Sequence, residues 1–199
     1  DADHSDANWY INQRFIAHPE EERVDGTGWS YGATVTIEID DPATQANPDY
    51  TGTTTAVVDP GDPNQTWFNL DFKGQYDLRP GDVVTVTDGK TVKVHTVTKL
   101  RITNVNPTTD VISGTAEPSS YVDLQICGVG GCASRTELSD SNGVWAADFS
   151  VVGDQPWEQI PFDILPDSTG NSLQWDGDVD STMLQWSVKY ENFLPLVQR

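Results

Sequence analysis

Three carboxylates at alternate positions form the most distinct candidate for binding chemistry in this sequence. Asp176, Asp178 and Asp180 lie in the segment Asp-Gly-Asp-Val-Asp, and hard cations such as Ca²⁺ accept oxygen ligands at this spacing. The segment departs from an EF-hand loop, because Ser181 takes the place of the sixth-position glycine and Ser187 that of the terminal glutamate. Two interpretations stay open, a calcium site and an acidic turn.

The three histidines do not form a recognisable catalytic or zinc-binding pattern. His4 lies in a polar segment, His18 precedes a proline, and His95 lies in a strand-like alternation that favours a position on the strand surface. The sequence contains neither a Gly-x-Ser-x-Gly motif nor a His-x-x-x-His pair, which nucleophilic hydrolases and zinc enzymes use. We therefore predict a protein that is not an enzyme.

The two cysteines are close in sequence, in the segment Cys127-Gly-Val-Gly-Gly-Cys132. In a secreted chain this spacing predicts one short disulfide. A disulfide that closes so small a ring stabilises a protein by about 2 kcal/mol.

Aromatic residues near predicted strand ends indicate carbohydrate binding as an alternative function. Sugar rings stack on exposed Trp and Tyr side chains, and the same side chains also pack in cores and hinges. The candidates for a sugar platform are Trp29, Tyr31, Trp157 and Trp175.

The charge of the chain restricts its partners. Acidic residues outnumber basic residues by 31 to 11, which gives a formal net charge of -20. Such a charge repels phosphate backbones, so nucleic acid is excluded as a partner. No apolar run reaches the 18 residues that a membrane-spanning helix requires, so we predict no membrane span.

The elements that position these residues are strands. Apolar and polar residues alternate along several segments, which is typical of half-buried β-strands, and Asp88-Gly89 between two valine-rich segments predicts a hairpin. We predict an all-β fold. The alternating apolar residues are Val35, Ile37 and Ile39; Val122, Leu124 and Ile126; and Leu184, Trp186, Val188 and Tyr190.

The two halves of the chain share an order of motifs. Each half holds a strand ending in Asp-Phe, at Phe72 and at Phe149, followed by a segment ending in proline and an Asp-Gly turn. This order predicts an internal duplication of two antiparallel β-sandwiches. The predicted segments are an arm at 1–22, a first repeat at 23–100, a second repeat at 101–190 and a tail at 191–199.

The second half resembles the bacterial immunoglobulin-like repeats of secreted and surface proteins. The resemblance rests on Val111-Ile-Ser-Gly-Thr-Ala-Glu-Pro, on Tyr121-Val-Asp-Leu124 and on Asp140-Ser-Asn-Gly-Val-Trp145. The ending Phe193-Leu-Pro-Leu-Val-Gln-Arg199 is similar to short endings of secreted proteins from Chloroflexota-type bacteria. These resemblances imply an extracellular location on a bacterial surface and a role as spacer, adhesion module or assembly unit.

Both terminal segments carry apolar residues within polar sequence. That composition suits strands that add to the edge of a sheet, either in the same molecule or in a neighbour. Head-to-tail addition between molecules produces a filament, so we predict a self-assembling surface or filament subunit, with glycan binding as the alternative. The assembly residues are Trp9, Tyr10, Ile11, Phe15, Ile16, Phe193, Leu194, Leu196 and Val197.

Overall fold

The protein is all-β. A computed structural model describes residues 13–188, and within this range the backbone forms strands, turns and loops without an α-helix. The all-β prediction is therefore confirmed. No helix in the described range is long and apolar enough to cross a membrane.

The chain forms two compact units. The division lies between Leu100 and Arg101, but the segment Gln174–Leu184 belongs to the first unit. The second unit therefore contains Arg101–Leu173 and, among the described residues, 185–188. The predicted bounds of the two repeats stay a prediction. The segment leaves the second unit because its residues pair and bond with strands of the first.

The first unit contains two sheets. One has the strand order β15-β1-β2-β6-β5 and the other the order β4-β3-β7-β8. The strands of this unit are β1 (Arg14–His18), β2 (Arg23–Thr27), β3 (Thr34–Asp40), β4 (Tyr50–Thr55), β5 (Val57–Val58), β6 (Thr66–Asp71), β7 (Val83–Thr87), β8 (Val92–Thr96) and the first part of β15 (Ser181–Ser187).

The core of the first unit lies between these sheets. The alternating residues Val35, Ile37 and Ile39 of β3 are fully buried, as are Phe68 of β6 and Phe72, which follows that strand. Fully burying a side chain of this size stabilises the fold by about 2 kcal/mol. The strand alternation in the sequence therefore marks the core-facing side correctly in β3.

Strand β1 lies inside its sheet and not at an edge. It pairs in parallel with β15 through Ile16 and Ser181, and in antiparallel fashion with β2 through Phe15 and Gly26. Phe15 is fully buried. Phe15 and Ile16, which the sequence placed in an assembly arm, are thus used within the molecule's own sheet.

The strands of the second unit have the orders β12-β11-β14 and β13-β10-β9. Val122, Leu124 and Ile126 of β11 are buried, as their alternation predicts. The strands are β9 (Arg101–Asn106), β10 (Val111–Thr115), β11 (Tyr121–Gly128), β12 (Gly131–Leu138), β13 (Val144–Asp148) and β14 (Thr169–Trp175), whose last two residues belong to the first unit.

A glycine beneath an aromatic ring recurs in both units. In the first unit Gly26 lies opposite Phe68, and in the second Gly114 lies opposite Trp145. A Cβ atom at Gly114 would lie 1.9 Å from the carbonyl oxygen of Arg101 and 2.4 Å from Cζ2 of Trp145. Each glycine is therefore required because ring and neighbouring backbone occupy the space of a side chain.

We expect Gly114→Ala to destabilise the second unit by about 2 kcal/mol or more, because the ring or the backbone must move. Gly130→Ala is the matched control, since a Cβ atom there would meet no atom within 4 Å, and it should change stability by less than about 0.5 kcal/mol. Urea unfolding followed by tryptophan fluorescence measures both. Equal stability of the two variants would contradict the packing role of Gly114.

Candidate functional site

The acidic turn predicted from the sequence lies in the first unit, between β14 and β15. One ligand atom each from Asp176, Asp178 and Asp180 lies within 4.8 Å of the others. The Oδ1 atom of Asp176 accepts hydrogen bonds from the amides of Asp178 (3.1 Å) and Asp180 (3.0 Å). The turn thus brings the three predicted carboxylates together.

A lysine from β8 contacts this turn. The Lys93 Nζ atom lies 2.7 Å from Asp178 Oδ2 and 3.3 Å from Asp180 Oδ2, and it donates to the carbonyl oxygen of Asp178 at 2.6 Å. Burial lowers the pKa of Lys93, but the two carboxylates outweigh it, so the pKa is raised overall. The lysine therefore stays charged and balances part of the acidic charge.

Asp180 is the most deeply buried carboxylate of the turn. It is fully buried, and its Oδ1 atom accepts a hydrogen bond of 2.8 Å from the amide of Phe15 in β1. Burial raises the pKa of Asp180 from 3.8 to about 7, against the lowering effects of the Phe15 amide and of Lys93. Asp180 thus links the turn to β1 and to β8.

His95 of β8 also contacts this hairpin. Its Nδ1 atom lies 2.6 Å from Asp176 Oδ2, and its Nε2 atom lies 2.9 Å from the hydroxyl oxygen of Thr182. The Thr98 amide donates to that hydroxyl oxygen at 2.9 Å. With Nδ1 as the donor to Asp176, the Thr182 hydroxyl donates to Nε2, and every group in the network has a partner.

The hydrogen bonds among Asp176, His95 and Thr182 have a structural role. An Asp-His-Thr order could activate a hydroxyl, but Thr182 is fully buried and His95 is 2 % exposed, so the hydroxyl has no contact with solvent or substrate. The expected surface position of His95 was wrong. The carboxylate and hydroxyl beneath β8 satisfy the imidazole, which makes its burial tolerable.

Calcium binding at Asp176, Asp178 and Asp180 stays a prediction. A cation that used all three carboxylates would have to displace the Lys93 ammonium group, which already contacts two of them. Calcium therefore competes with a charge that belongs to the protein. We call these three carboxylates together with Lys93 and His95 the acidic latch.

The predicted disulfide is present in the second unit. Cys127 and Cys132 are bonded at a sulfur–sulfur distance of 2.05 Å and lie opposite each other at the end of the β11–β12 hairpin. The bond links the two strands next to the turn that contains the fully exposed Val129.

The four candidate aromatic residues for sugar binding have different environments. Trp29 is 1 % exposed and its Nε1 atom donates to the carbonyl oxygen of Arg14, so it is a core residue and offers no ring face to a ligand. Trp175 is half-buried. Tyr31 is 73 % and Trp157 61 % exposed, so these two retain the accessibility that a sugar platform requires.

Trp157 lies on the loop between β13 and β14. The sequence patterns did not indicate which residues hold this loop in place. The buried Arg135 guanidinium donates to the carbonyl oxygens of Asp148 (3.0 Å), Val151 and Ile160 (3.4 Å) and lies 4.8 Å from the Phe149 ring. An arginine can satisfy several carbonyls at once because it has five donors in a fixed plane. Arg135 therefore fixes both ends of the loop.

A buried glutamate fixes the middle of the same loop. Glu158 accepts hydrogen bonds from the amides of Thr136 (2.6 Å) and Gln155 (3.0 Å), and its carbonyl oxygen accepts the amide of Gly153 (2.9 Å). Only its place next to Trp157 distinguishes Glu158 in the sequence from the other acidic residues. The loop is held by buried charged groups and displays Trp157 to solvent.

Comparisons with known proteins show weak likenesses. No family model and no curated protein matches the chain, so no sequence match supports the likeness of residues 193–199 to Chloroflexota-type endings. Among solved structures, the chain is similar to a tetra-tandem repeat in the extending region of a large adhesion protein. The identity is 13 % and the TM-score 0.32, over 87 % of this chain and 48 % of that chain.

Two further structures are similar to a lower degree. A 1.5-MDa bacterial ice-binding adhesin is 10 % identical, with a TM-score of 0.27 over 89 % of this chain and 63 % of that chain. A pullulanase complexed with maltotriose, from Anoxybacillus sp. LM18-11, is 8 % identical, with a TM-score of 0.29 over 84 % and 24 %. This chain spans about half the length of the adhesion-protein chain. Likenesses of this size carry no functional argument.

The pKa of Asp180 makes the stability of the first unit depend on pH. Because the pKa is about 7 in the folded state and 3.8 is its ordinary value, the folded state keeps a proton that the unfolded state loses between these values. Stability from this group is therefore greatest at low pH and is lost as the pH rises through about 7. We expect a loss of about 2 kcal/mol between about pH 5 and pH 8.

Asp180→Asn should remove this pH dependence, because the amide oxygen can still accept the Phe15 amide but does not titrate. Burial also raises the pKa of Glu137 in the second unit to about 7, so the quantity to measure is the difference between parent and variant in urea unfolding at the two pH values. Parallel pH profiles for the two proteins would show that Asp180 titrates normally.

Proposed function

We propose that this chain is a non-catalytic, extracellular structural protein of a bacterial surface, and that its copies join through their terminal strands into a filament. The observation that carries the proposal is the position of β1. This strand lies within the predicted arm at 1–22 and follows residues 1–12, the part of the arm that would engage a second copy. It has a strand on each side and holds the fully buried Phe15. An arm that engaged a second copy would therefore be attached to the centre of a sheet.

The contacts of β1 suit the transmission of force. A pull on the arm acts along β1 and is opposed by its pairing with both β2 and β15 and by the hydrogen bond from Phe15 to Asp180. Several main-chain hydrogen bonds must then break together and not one after another. The attachment of β1 within its sheet supports a structural role.

The covalent and electrostatic features support an extracellular location. A disulfide such as Cys127–Cys132 persists in oxidising surroundings. The net charge of -20 keeps single molecules apart until a specific contact forms. A surface protein that assembles from secreted copies benefits from both properties.

Removal of residues 1–12 should abolish assembly and leave the fold intact, because β1 begins only at Arg14. Deletion through residue 16 would remove three of the five residues of β1 and is unsuitable. Light scattering after size-exclusion chromatography and negative-stain electron microscopy of the parent and shortened proteins, with and without calcium, provide the measurement.

A second variant tests the apolar residues of the arm at constant length. Substitution of Trp9, Tyr10 and Ile11 by Ser should also prevent assembly, whereas Tyr31→Ser, which changes an exposed aromatic residue outside the arm, should not. A parent protein that stays monomeric under every condition, or a shortened protein that still forms filaments, would rule out assembly through the arm.

Glycan binding is the second candidate function. It is favoured by the exposure of Trp157 on a loop fixed by Arg135 and Glu158, because a preorganised aromatic side chain loses little entropy when it binds. The exposed ring of Tyr31 in the first unit offers another stacking surface.

Glycan binding predicts a shift in tryptophan fluorescence when soluble polysaccharides are added. Trp157→Ala should weaken the binding by about tenfold or more, as expected for a central aromatic contact. Tyr121→Ala is the control, because Tyr121 is exposed to a similar degree, 64 %. Equal affinities of the two variants would show that Trp157 is not the sugar platform. If no polysaccharide changes the fluorescence of the parent protein, glycan binding is not the function.

A further inference from the structure

Among the strands of residues 13–188, β8 is an edge of its sheet in the first unit. It is the last strand of the order β4-β3-β7-β8. At one end of its pairing with β7 the Val97 amide donates to the carbonyl oxygen of Asp82, and at the other the Asp88 amide donates to that of Thr91. These contacts fix which residues of β8 bond to β7.

Alternate residues of β8 direct their backbone groups away from β7. In an antiparallel pair, residues of hydrogen-bonded pairs alternate with residues of non-bonded pairs. With the register Val84–His95 and Thr85–Val94, the bonded positions of β8 are Lys93 and His95. The N–H and C=O groups of Val92, Val94 and Thr96 therefore point to the open edge.

The outward-facing side chains of this edge are apolar. Val92 is 63 % and Val94 50 % exposed, because Lys93 and His95 face inward to the acidic latch. The opposite edge strand β4 instead exposes Thr51, Thr53 and Thr55. An edge with exposed valines, and with backbone groups that point away from its strand partner in the described range, is the kind of surface to which another strand adds.

The charge next to β8 indicates what binds there. Of the three lysines in residues 89–100, Lys93 already contacts Asp178 and Asp180, so the positive charge at the edge comes from the other two, in a chain with 11 basic and 31 acidic residues. Lys90 and Lys99 are exposed and lie on either side of the strand. Residues 1–12 of the chain carry Asp1, Asp3 and Asp6 and no basic residue. The two segments have complementary charge.

We propose that β8 is the acceptor edge for the N-terminal arm of a second copy, with Trp9-Tyr-Ile11 adding as a strand. The side chains of Trp9 or Ile11 would pack across from Val92 and Val94, and aromatic or β-branched pairs across strands are favourable. This inference rests on the proposed assembly through terminal strands and names the surface that receives the arm. Since each copy would supply one N-terminal arm and one β8 edge, repeated addition is head-to-tail.

The first test is a charge substitution at the edge in the full chain. Val94→Glu places a negative charge against the acidic arm and should raise the dissociation constant for self-association by about tenfold or more. Thr53→Glu makes the same charge change on edge strand β4 and should assemble like the parent. Far-UV circular dichroism and thermal unfolding confirm that both variants fold.

The second test identifies the contact directly. An Ile11→Cys protein is mixed with a Val94→Cys protein and treated with a short bismaleimide; the native cysteines are not reactive because they form the Cys127–Cys132 bond. We expect cross-linked heterodimers for this pair and about tenfold fewer when Thr53→Cys replaces Val94→Cys. Raised salt should reduce the yield, because it screens the charge attraction.

The outcomes separate this inference from the proposed function. If the parent assembles but Val94→Glu assembles equally well, or if Ile11→Cys links to Thr53→Cys instead, the acceptor edge is misassigned while assembly through the arm stands. A cross-link between two Val94→Cys molecules in preference to the arm would mean edge-to-edge pairing and would overturn the inference. If the parent never assembles, both proposals fail.

Discussion

The buried carboxylate of Asp180 is the constraint on which the first unit depends. It accepts the amide of Phe15, 165 residues away in sequence, and contacts the ammonium group of Lys93. An isolated buried carboxylate would be very unfavourable, so the strands that supply these partners must be in place together. This requirement explains why Gln174–Leu184 belongs to the first unit, although it follows most of the second unit in the chain.

The same constraint determines the face that β8 turns outward. Lys93 supplies a positive charge and His95 a hydrogen bond to the acidic turn, so both side chains point inward. Period-two alternation then places Val92 and Val94 outside. The apolar edge of this strand is thus a consequence of the acidic latch, which connects the electrostatics of the core to the surface proposed for assembly.

The second unit uses buried charge in a different way. Arg135 and Glu158 bind backbone groups of the loop from Asp148 to Ile160, so their hydrogen bonds offset the cost of their burial. In both units a few buried charged groups fix segments that lack regular pairing. The glycine beneath an aromatic ring, Gly26 with Phe68 and Gly114 with Trp145, is the packing feature that the two units share.

The sequence by itself determined the all-β fold, the core-facing sides of β3 and β11 and the short disulfide. These features depend on local alternation and on spacing, which are visible in one dimension. Only the tertiary structure decided that Trp29 is buried, that β1 lies inside its sheet and that β8 turns Lys93 and His95 inward. Alternation alone favoured a surface position for His95 in β8. Periodicity shows that a strand has two faces, but it does not show which face meets a buried carboxylate distant in the chain.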